Sequence, residues 1–239
     1  MKLVAHRGFS GQYPENTMIA FEKAVEEKYD QIELDVRLSK DSVPVVIHDA
    51  TINRTSNGGR KFVHDLTIEE LKKYDFGSWF DRKFQGERIA TLEEVLQLLE
   101  KEEISINIEL KNGPIIPLNL EEEVLKLVRK YNMQDRTLYS SFDHQSVLRL
   151  YKLDPTIKVG LIFHINLVNV FDYINSLDME VYSIHPNYFY VTEKMAIEAK
   201  KSGLKLNVYT VDDIKLAREL EKIGVDSLIT NQITKDSYQ

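Results

Sequence analysis

At 239 residues, 43% of them hydrophobic and 29% charged, the chain has the length and composition of one large α/β domain with a sizeable core. A formal net charge of -7 without any Lys/Arg-rich stretch excludes a protein that wraps nucleic acid, and the absence of cysteine excludes disulfides, thiolate metal sites and cysteine nucleophiles. No continuous apolar run is long enough to span a bilayer.

In chain order, the first expected strand is Lys2–His6. Its apolar run Leu3, Val4, Ala5 ends on His6 and Arg7 before Gly8 breaks it. A helix follows, with Met18, Phe21 and Val25 on one face; in "YPENTMIAF", Asn16 reads as its N-cap, with a second role near any anion bound at the same end. The second strand spans residues 31–36. The apolar run at residues 44–47 follows too closely for a crossover helix, which needs a dozen or more residues. It is expected to fold back as a hairpin turning near residues 40–42, which brings His48 beside Asp35.

Residues 50–86 read as an insertion: a flexible "NRTSNGGRK" loop, a short capped helix at 67–74, and the irregular aromatic stretch "DFGSWFDRKFQG" with Trp79 and Phe80 exposed. Beyond it, Thr91-Leu-Glu-Glu94 and Asn119-Leu-Glu-Glu122 both have the pattern of a capping box, and Leu92, Val95, Leu96 and Leu99 line one helix face. Further strands are expected at Ser105–Leu110, Thr137–Ser141, 157–161, 181–185, 205–210 and Ser227–Thr230, with a helix holding Met195, Ile197 and Ala199 and helix stops at Gly203 and Gly224. Eight strands alternating with helices point to a (β/α)8 TIM-type barrel in a single domain over 1–239. A doubly wound sheet is the alternative; the G-x-G-x-x-G fingerprint of its dinucleotide-binding form is absent after the first strand.

Two strands break the rule that buried parallel strands are nearly all apolar. "QIELDVRL" carries Glu33 and Asp35, and "INIELKNG" carries Glu109 and Lys111, each alternating with apolar residues at the strand's C-terminal end. Three carboxylates at one mouth repel one another and are costly to bury. A divalent cation removes both problems, and oxygen-only ligands suit Mg²⁺, Ca²⁺ or Mn²⁺. A purely structural ion network with Arg7 and Lys111 is the blander reading; it accounts less well for His6, Arg7, Glu33, Asp35, His48, Glu109 and Lys111 all mapping to the face where barrel enzymes keep their chemistry. A cation beside Arg7 and Lys111 suits a phosphate ester, with His6 and His48 as the acid–base pair. His64 and His144 read as solvated, His164 as core edge, and His185 in "SIHP" as either a core residue or a substrate contact.

"HRG", "PENT", "E-L-D-V", "PVVIHD" and "IELK", in this order and spacing over about the first 111 residues, resemble the glycerophosphodiester phosphodiesterase family; "SSF", "IHPNY" and "VYTVDD" extend the similarity. The resemblance implies a (β/α)8 barrel with a small insertion and metal-dependent cleavage of glycerophosphodiesters to glycerol 3-phosphate and an alcohol. It implies Glu33, Asp35 and Glu109 as metal ligands, His6 and His48 as the proton carriers, and Arg7 and Lys111 as phosphate contacts. The family most often has tryptophan where Tyr209 stands, and often aspartate in place of Asn231; Tyr209 is then an aromatic wall for the glycerol. Phospholipase D-type cleavage of lysolipids and a catalytically silent barrel that binds phosphate esters or a protein partner are the rival readings. The expected partner is a small-molecule substrate, with no nucleic acid and no membrane span. A cleaved secretory signal would remove the "HRG" region, so the chain reads as cytoplasmic.

Overall fold

The computed structural model describes residues 1–114 and 119–238. Among these, ten strands form one sheet. Eight are parallel and close into a barrel: β1 (Lys2–His6), β2 (Gln31–Leu38), β5 (Ser105–Leu110), β6 (Thr137–Ser141), β7 (Lys158–Phe163), β8 (Ser183–Pro186), β9 (Lys205–Val208) and β10 (Ser227–Thr230). Closure is made by β1, which pairs with β10 on one side and β2 on the other. An open doubly wound sheet is thereby excluded. The remaining two strands, β3 (Pro44–Val46) and β4 (Ala90–Thr91), form an antiparallel flap on β2.

The helices α1 (Met18–Glu26), α2 (Ile68–Leu71), α3 (Leu92–Leu99), α4 (Leu120–Lys130), α5 (His144–Leu153), α6 (Val170–Asn175), α7 (Glu193–Lys201), α8 (Ile214–Lys222) and the short α9 (Lys235–Tyr238) complete the order. Apolar helix faces such as Leu92, Val95, Leu96 and Leu99 of α3 pack on the outward side chains of the barrel. None of the helices among the described residues is long and apolar enough to cross a membrane.

The expected strand positions are met, with ends shifted by a few residues. Both expected stops, Gly203 and Gly224, have positive φ. Thr91 and Thr67 head true capping boxes with Glu94 and Glu70. Asn119 does not: it lies in the left-handed region at φ 69° rather than the extended region usual for a cap, and it makes no capping bond among the described residues. Asn16 is likewise not the cap of α1. That place belongs to Thr17, and Asn16 is left-handed at φ 57°. Ile197 of α7 is 46% exposed, while the buried face is Ala196 and Ala199.

The hairpin forms as expected, but with a register one residue from that anticipated. Val36 pairs with Val46, so the Ile47 N–H donates to the Asp35 carbonyl (2.9 Å) and His48 lies one residue beyond. After it, residues 50–86 bury a small apolar cluster of their own, in which Ile52, Val63, Leu71 and Phe76 join Val45, Ile47 and Ile89.

Candidate active site at the barrel mouth

Strand register assembles the site before any side chain is considered. His6 of β1 stands opposite Glu33 of β2, and Asp35 of β2 stands opposite Glu109 of β5. Residues two apart on a strand share a face, so Glu33 and Asp35 point the same way. The three carboxylates each offer an oxygen within 4.8 Å of the others, and all three residues are at most 7% exposed.

Arg7 links this cluster to the turn after β1. It is left-handed at φ 58°, and its backbone N–H donates to Glu33 Oε2 (3.0 Å). Its side chain reaches Asp35 Oδ2 (Nε, 3.3 Å) and Glu15 Oε1 (2.7 Å). Gly8 makes this turn feasible: it has φ 80°, and a Cβ there would stand 2.8 Å from the backbone of Ala20 in α1. Lys111 Nζ donates to Glu109 and lies 3.0 Å from Asp35 Oδ1. Asn16 has both ends of its amide on Asp35: Nδ2 donates to Oδ2 (2.8 Å), and Oδ1 faces the Asp35 N–H (3.4 Å).

The electrostatics divide the three carboxylates. Burial alone would raise Asp35, but Lys111 and Arg7 overturn this and hold it well below the carboxylate range. Burial raises Glu33 well above its ordinary value, and the charges of Asp35 and Glu109 push the same way. Glu109 is pushed up to about 7 by burial, against the pull of Lys111. Glu33 Oε1 is buried without a hydrogen-bond partner among the described residues, and Asp35 Oδ1 is met by the Lys111 ammonium. Two positive side chains do not neutralise three carboxylates, whose oxygens lie within 4.8 Å of one another. This donor set fits a hard divalent cation.

The histidines flank the cluster. His6 Nε2 is 4.0 Å from Glu33 Oε2, and burial together with Arg7 lowers its pKa to about 4. His48 Nδ1 lies 2.7 Å from Asp49 Oδ1; burial lowers its pKa, opposed by Asp35. Both line one cavity of about 220 Å³ with Arg7, Glu33, Glu109 and Lys111. The opposite wall is aromatic and apolar: Phe142, Ile162, Tyr209 and the exposed His164. His164 is thus a mouth residue, because β7 ends at Phe163 just before it. His185 also lines the cavity, yet it is 1% exposed. His144 is not solvated: it stacks on Tyr173 and bonds the Tyr173 hydroxyl (2.8 Å) and the Ile162 carbonyl (3.1 Å). His64 is part-exposed beside Asp65.

Sequence reasoning missed Glu15, Asp49 and Arg54. Arg54 bonds Glu15 (2.7 and 2.8 Å) and Asp49 (2.8 Å), so the insertion braces Arg7 and His48 through carboxylates. The only available signal was that Glu15 adjoins Asn16 and Asp49 adjoins His48. Trp79 and Phe80 are absent from the cavity lining among the described residues. Trp79 bonds the Phe76 carbonyl, and Phe80 packs on Phe84.

Comparison with known proteins shows the family and the fold. Residues 6–235 match the model of the glycerophosphoryl diester phosphodiesterase family. A glycerophosphodiester phosphodiesterase of Caldanaerobacter subterraneus subsp. tengcongensis is 44% identical over 229 residues, covering 96% of this chain and 93% of its own. The fold is similar to that of an Oleispira antarctica phosphodiesterase solved with the product sn-glycerol-3-phosphate (TM-score 0.88, 29% identity, 97% of this chain and 93% of the other). It is also similar to a glycerophosphodiester phosphodiesterase from Agrobacterium tumefaciens (TM-score 0.81, 32% identity, 97% and 96%).

Proposed function

The chain belongs to the glycerophosphoryl diester phosphodiesterase family and is an enzyme of that class; from that premise we propose that its mouth cluster hydrolyses glycerophosphodiesters, the deacylated headgroups of phospholipids, to glycerol 3-phosphate and an alcohol, with one divalent cation. The observation that carries this reading is the buried trio Glu33, Asp35 and Glu109, with Glu33 Oε1 unpartnered among the described residues, at the cavity that Glu33 and Glu109 line with Arg7, Lys111, His6 and His48. The trio would hold Mg²⁺, Ca²⁺ or Mn²⁺. When bound, the cation draws charge from the phosphoryl oxygens and lowers the pKa of a hydroxyl it touches.

The chain's own groups do the rest. Arg7 and Lys111 add positive charge where the phosphoryl oxygens gain negative charge in the transition state. One histidine of the pair His6 and His48 takes the proton of the glycerol 2-hydroxyl as its oxygen bonds to phosphorus. The other protonates the alcohol oxygen as its bond to phosphorus breaks. The hydroxyl closes a five-membered ring, so the entropy of approach is already largely paid. Water then opens the cyclic phosphate with the proton roles reversed. Tyr209 and Phe142 wall the space for glycerol and the leaving alcohol, and His185 faces the same cavity from below. Asn16 acts through Asp35, whose orientation it fixes.

The test is turnover of a panel of glycerophosphodiesters and lysolipids by chelator-treated protein reloaded with Mg²⁺, Ca²⁺ or Mn²⁺. A glycerophosphocholine analogue lacking the 2-hydroxyl is compared alongside. Turnover only of the reloaded protein, with the analogue inert, is the expected result. Full activity without metal would end the metal reading, and an analogue cleaved at the natural rate would end the cyclic route.

A further inference from the structure

Behind His6 stands a chain of groups that the reaction outlined above does not use. Asn231 follows β10, and its carboxamide bridges His6 and Asp212. Asn231 Nδ2 donates to Asp212 Oδ2 (2.6 Å), and Asn231 Oδ1 lies 2.7 Å from His6 Nδ1. Asp212 is itself fixed: its Oδ1 accepts from the Asn231 N–H (2.7 Å) and from the Thr230 hydroxyl (2.9 Å).

The direction of these bonds follows from donor inventory alone. An ionised carboxylate only accepts, so the amide nitrogen of Asn231 must face Asp212 and its oxygen must face His6. An amide oxygen carries no hydrogen, so a contact of 2.7 Å to His6 Nδ1 requires the proton on Nδ1. In a neutral ring Nε2 is then a lone pair. The other side of the ring gives the same answer independently: Nε2 faces the Arg7 Nε–H, which is always a donor, at 3.3 Å.

We propose that Asp212 and Asn231 are positioning residues for His6: the Asp212 carboxylate orients the Asn231 amide, and the amide fixes the imidazole in the Nδ1–H tautomer with Nε2 turned unprotonated toward the carboxylate cluster. His6 therefore exchanges its proton with the reacting oxygen at Nε2, and the resting ring accepts rather than donates. The catalytic part of this statement rests on the phosphodiesterase reading; the tautomer does not. The arrangement is the one by which a buried acceptor holds a catalytic imidazole elsewhere, with a neutral amide as the direct partner and the carboxylate one step behind it.

The test uses three variants with glycerophosphocholine and the metal-loaded protein. Asn231→Leu removes the acceptor. Asn231→Asp sets two carboxylates against each other. Asn231→Asp combined with Asp212→Asn rebuilds the chain in reverse, because an amide at position 212 can donate to a carboxylate at position 231, whose other oxygen accepts from His6 Nδ1. The first two should lose about 10–100-fold in kcat with KM little changed, the range seen when the partner that fixes a functional histidine is removed. The double variant should recover most of that loss. Long-range ¹H–¹⁵N spectra, with His6 assigned by comparison with His6→Gln, should show Nδ1–H in the parent and a mixture of tautomers in Asn231→Leu. A parent ring protonated at Nε2, an unchanged kcat in Asn231→Leu, or a double variant no better than Asn231→Asp would each overturn the proposal. So would losses in kcat that track falls in thermal midpoint and Mn²⁺ affinity, since those mark a brace and not a positioning role. If the parent does not cleave glycerophosphocholine, the phosphodiesterase reading fails, and the spectra still decide the tautomer.

Discussion

The Asn16 carboxamide donates to Asp35 Oδ2 at 2.8 Å, tying the turn before α1 to the second barrel strand. Asp35 is fully buried, and it keeps its charge through Lys111, Arg7 and this bond. Asn16 suits the place twice over, because asparagine tolerates the left-handed φ of 57° better than most residues.

Asn16→Gly keeps the backbone and removes the amide. It should cost about 1–3 kcal/mol of stability, the penalty for taking a partner from a buried charged group, and lower turnover through a mis-set Asp35. Denaturant unfolding and steady-state kinetics check both. An unchanged kcat with lost stability would make Asn16 a brace only.

Metal binding should release protons. Glu109, pushed up to about 7, is largely protonated in the metal-free protein below pH 7, and burial raises Glu33 well above its usual range in the same direction. Ligation needs both as carboxylates. Affinity should therefore fall as pH drops below about 7, where protons compete with the cation. Above it the Glu109 share of proton release should vanish. Calorimetric titration of Mn²⁺ in buffers of different ionisation enthalpy measures this. Equal proton release at pH 6 and pH 8 would contradict it.

Choice of leaving alcohol should follow the aromatic wall of the cavity. Phe142 and Tyr209 line it and meet edge to face at 6.0 Å. Phe142→Ala and Tyr209→Ala should reorder the preference among choline, ethanolamine and glycerol diesters. Trp79→Ala and Phe80→Ala should scale all rates alike and lower the thermal midpoint, because Trp79 bonds the Phe76 carbonyl and meets Phe80 edge to face, and Phe80 packs on Phe84, all within the insertion. A changed ranking in Trp79→Ala would place selectivity in the insertion instead.

His185 should contribute to acid lability. Burial lowers its pKa to about 3, so the folded protein holds it neutral while the unfolded chain takes up a proton near 6.5. The unfolded state binds more protons between those values, so this group withdraws stability as pH falls from 6.5 toward 3. Over the whole interval the loss is on the order of 5 kcal/mol. His185→Gln keeps a polar group beside Ser183 and Asn207 and does not titrate. Its stability should fall less steeply with acid than that of the parent. Parallel profiles would show that His185 stays neutral in both states.

The sequence by itself determined the alternation of strands and helices and the roster of the mouth, with an open doubly wound sheet left as the alternative to the barrel until the pairing of β1 with β10 closed it. Periodicity and spacing suffice for these, since a charged pair alternating with apolar residues at a strand end can only face the open end of a packed barrel. Glu33, Asp35, Glu109, Lys111, His6 and Arg7 were legible for that reason. The tertiary structure decided everything that depends on contacts distant along the chain. Asn16 reads locally as a cap and is instead bonded to Asp35, nineteen residues away. His144 reads as a solvated helix start and is instead packed between β7 and α6. Asn231 meets His6 only because β10 closes the barrel against β1, joining groups 225 residues apart. Local pattern encodes burial and direction along an element; which polar groups face each other is set by barrel closure, and closure is a property of the whole chain.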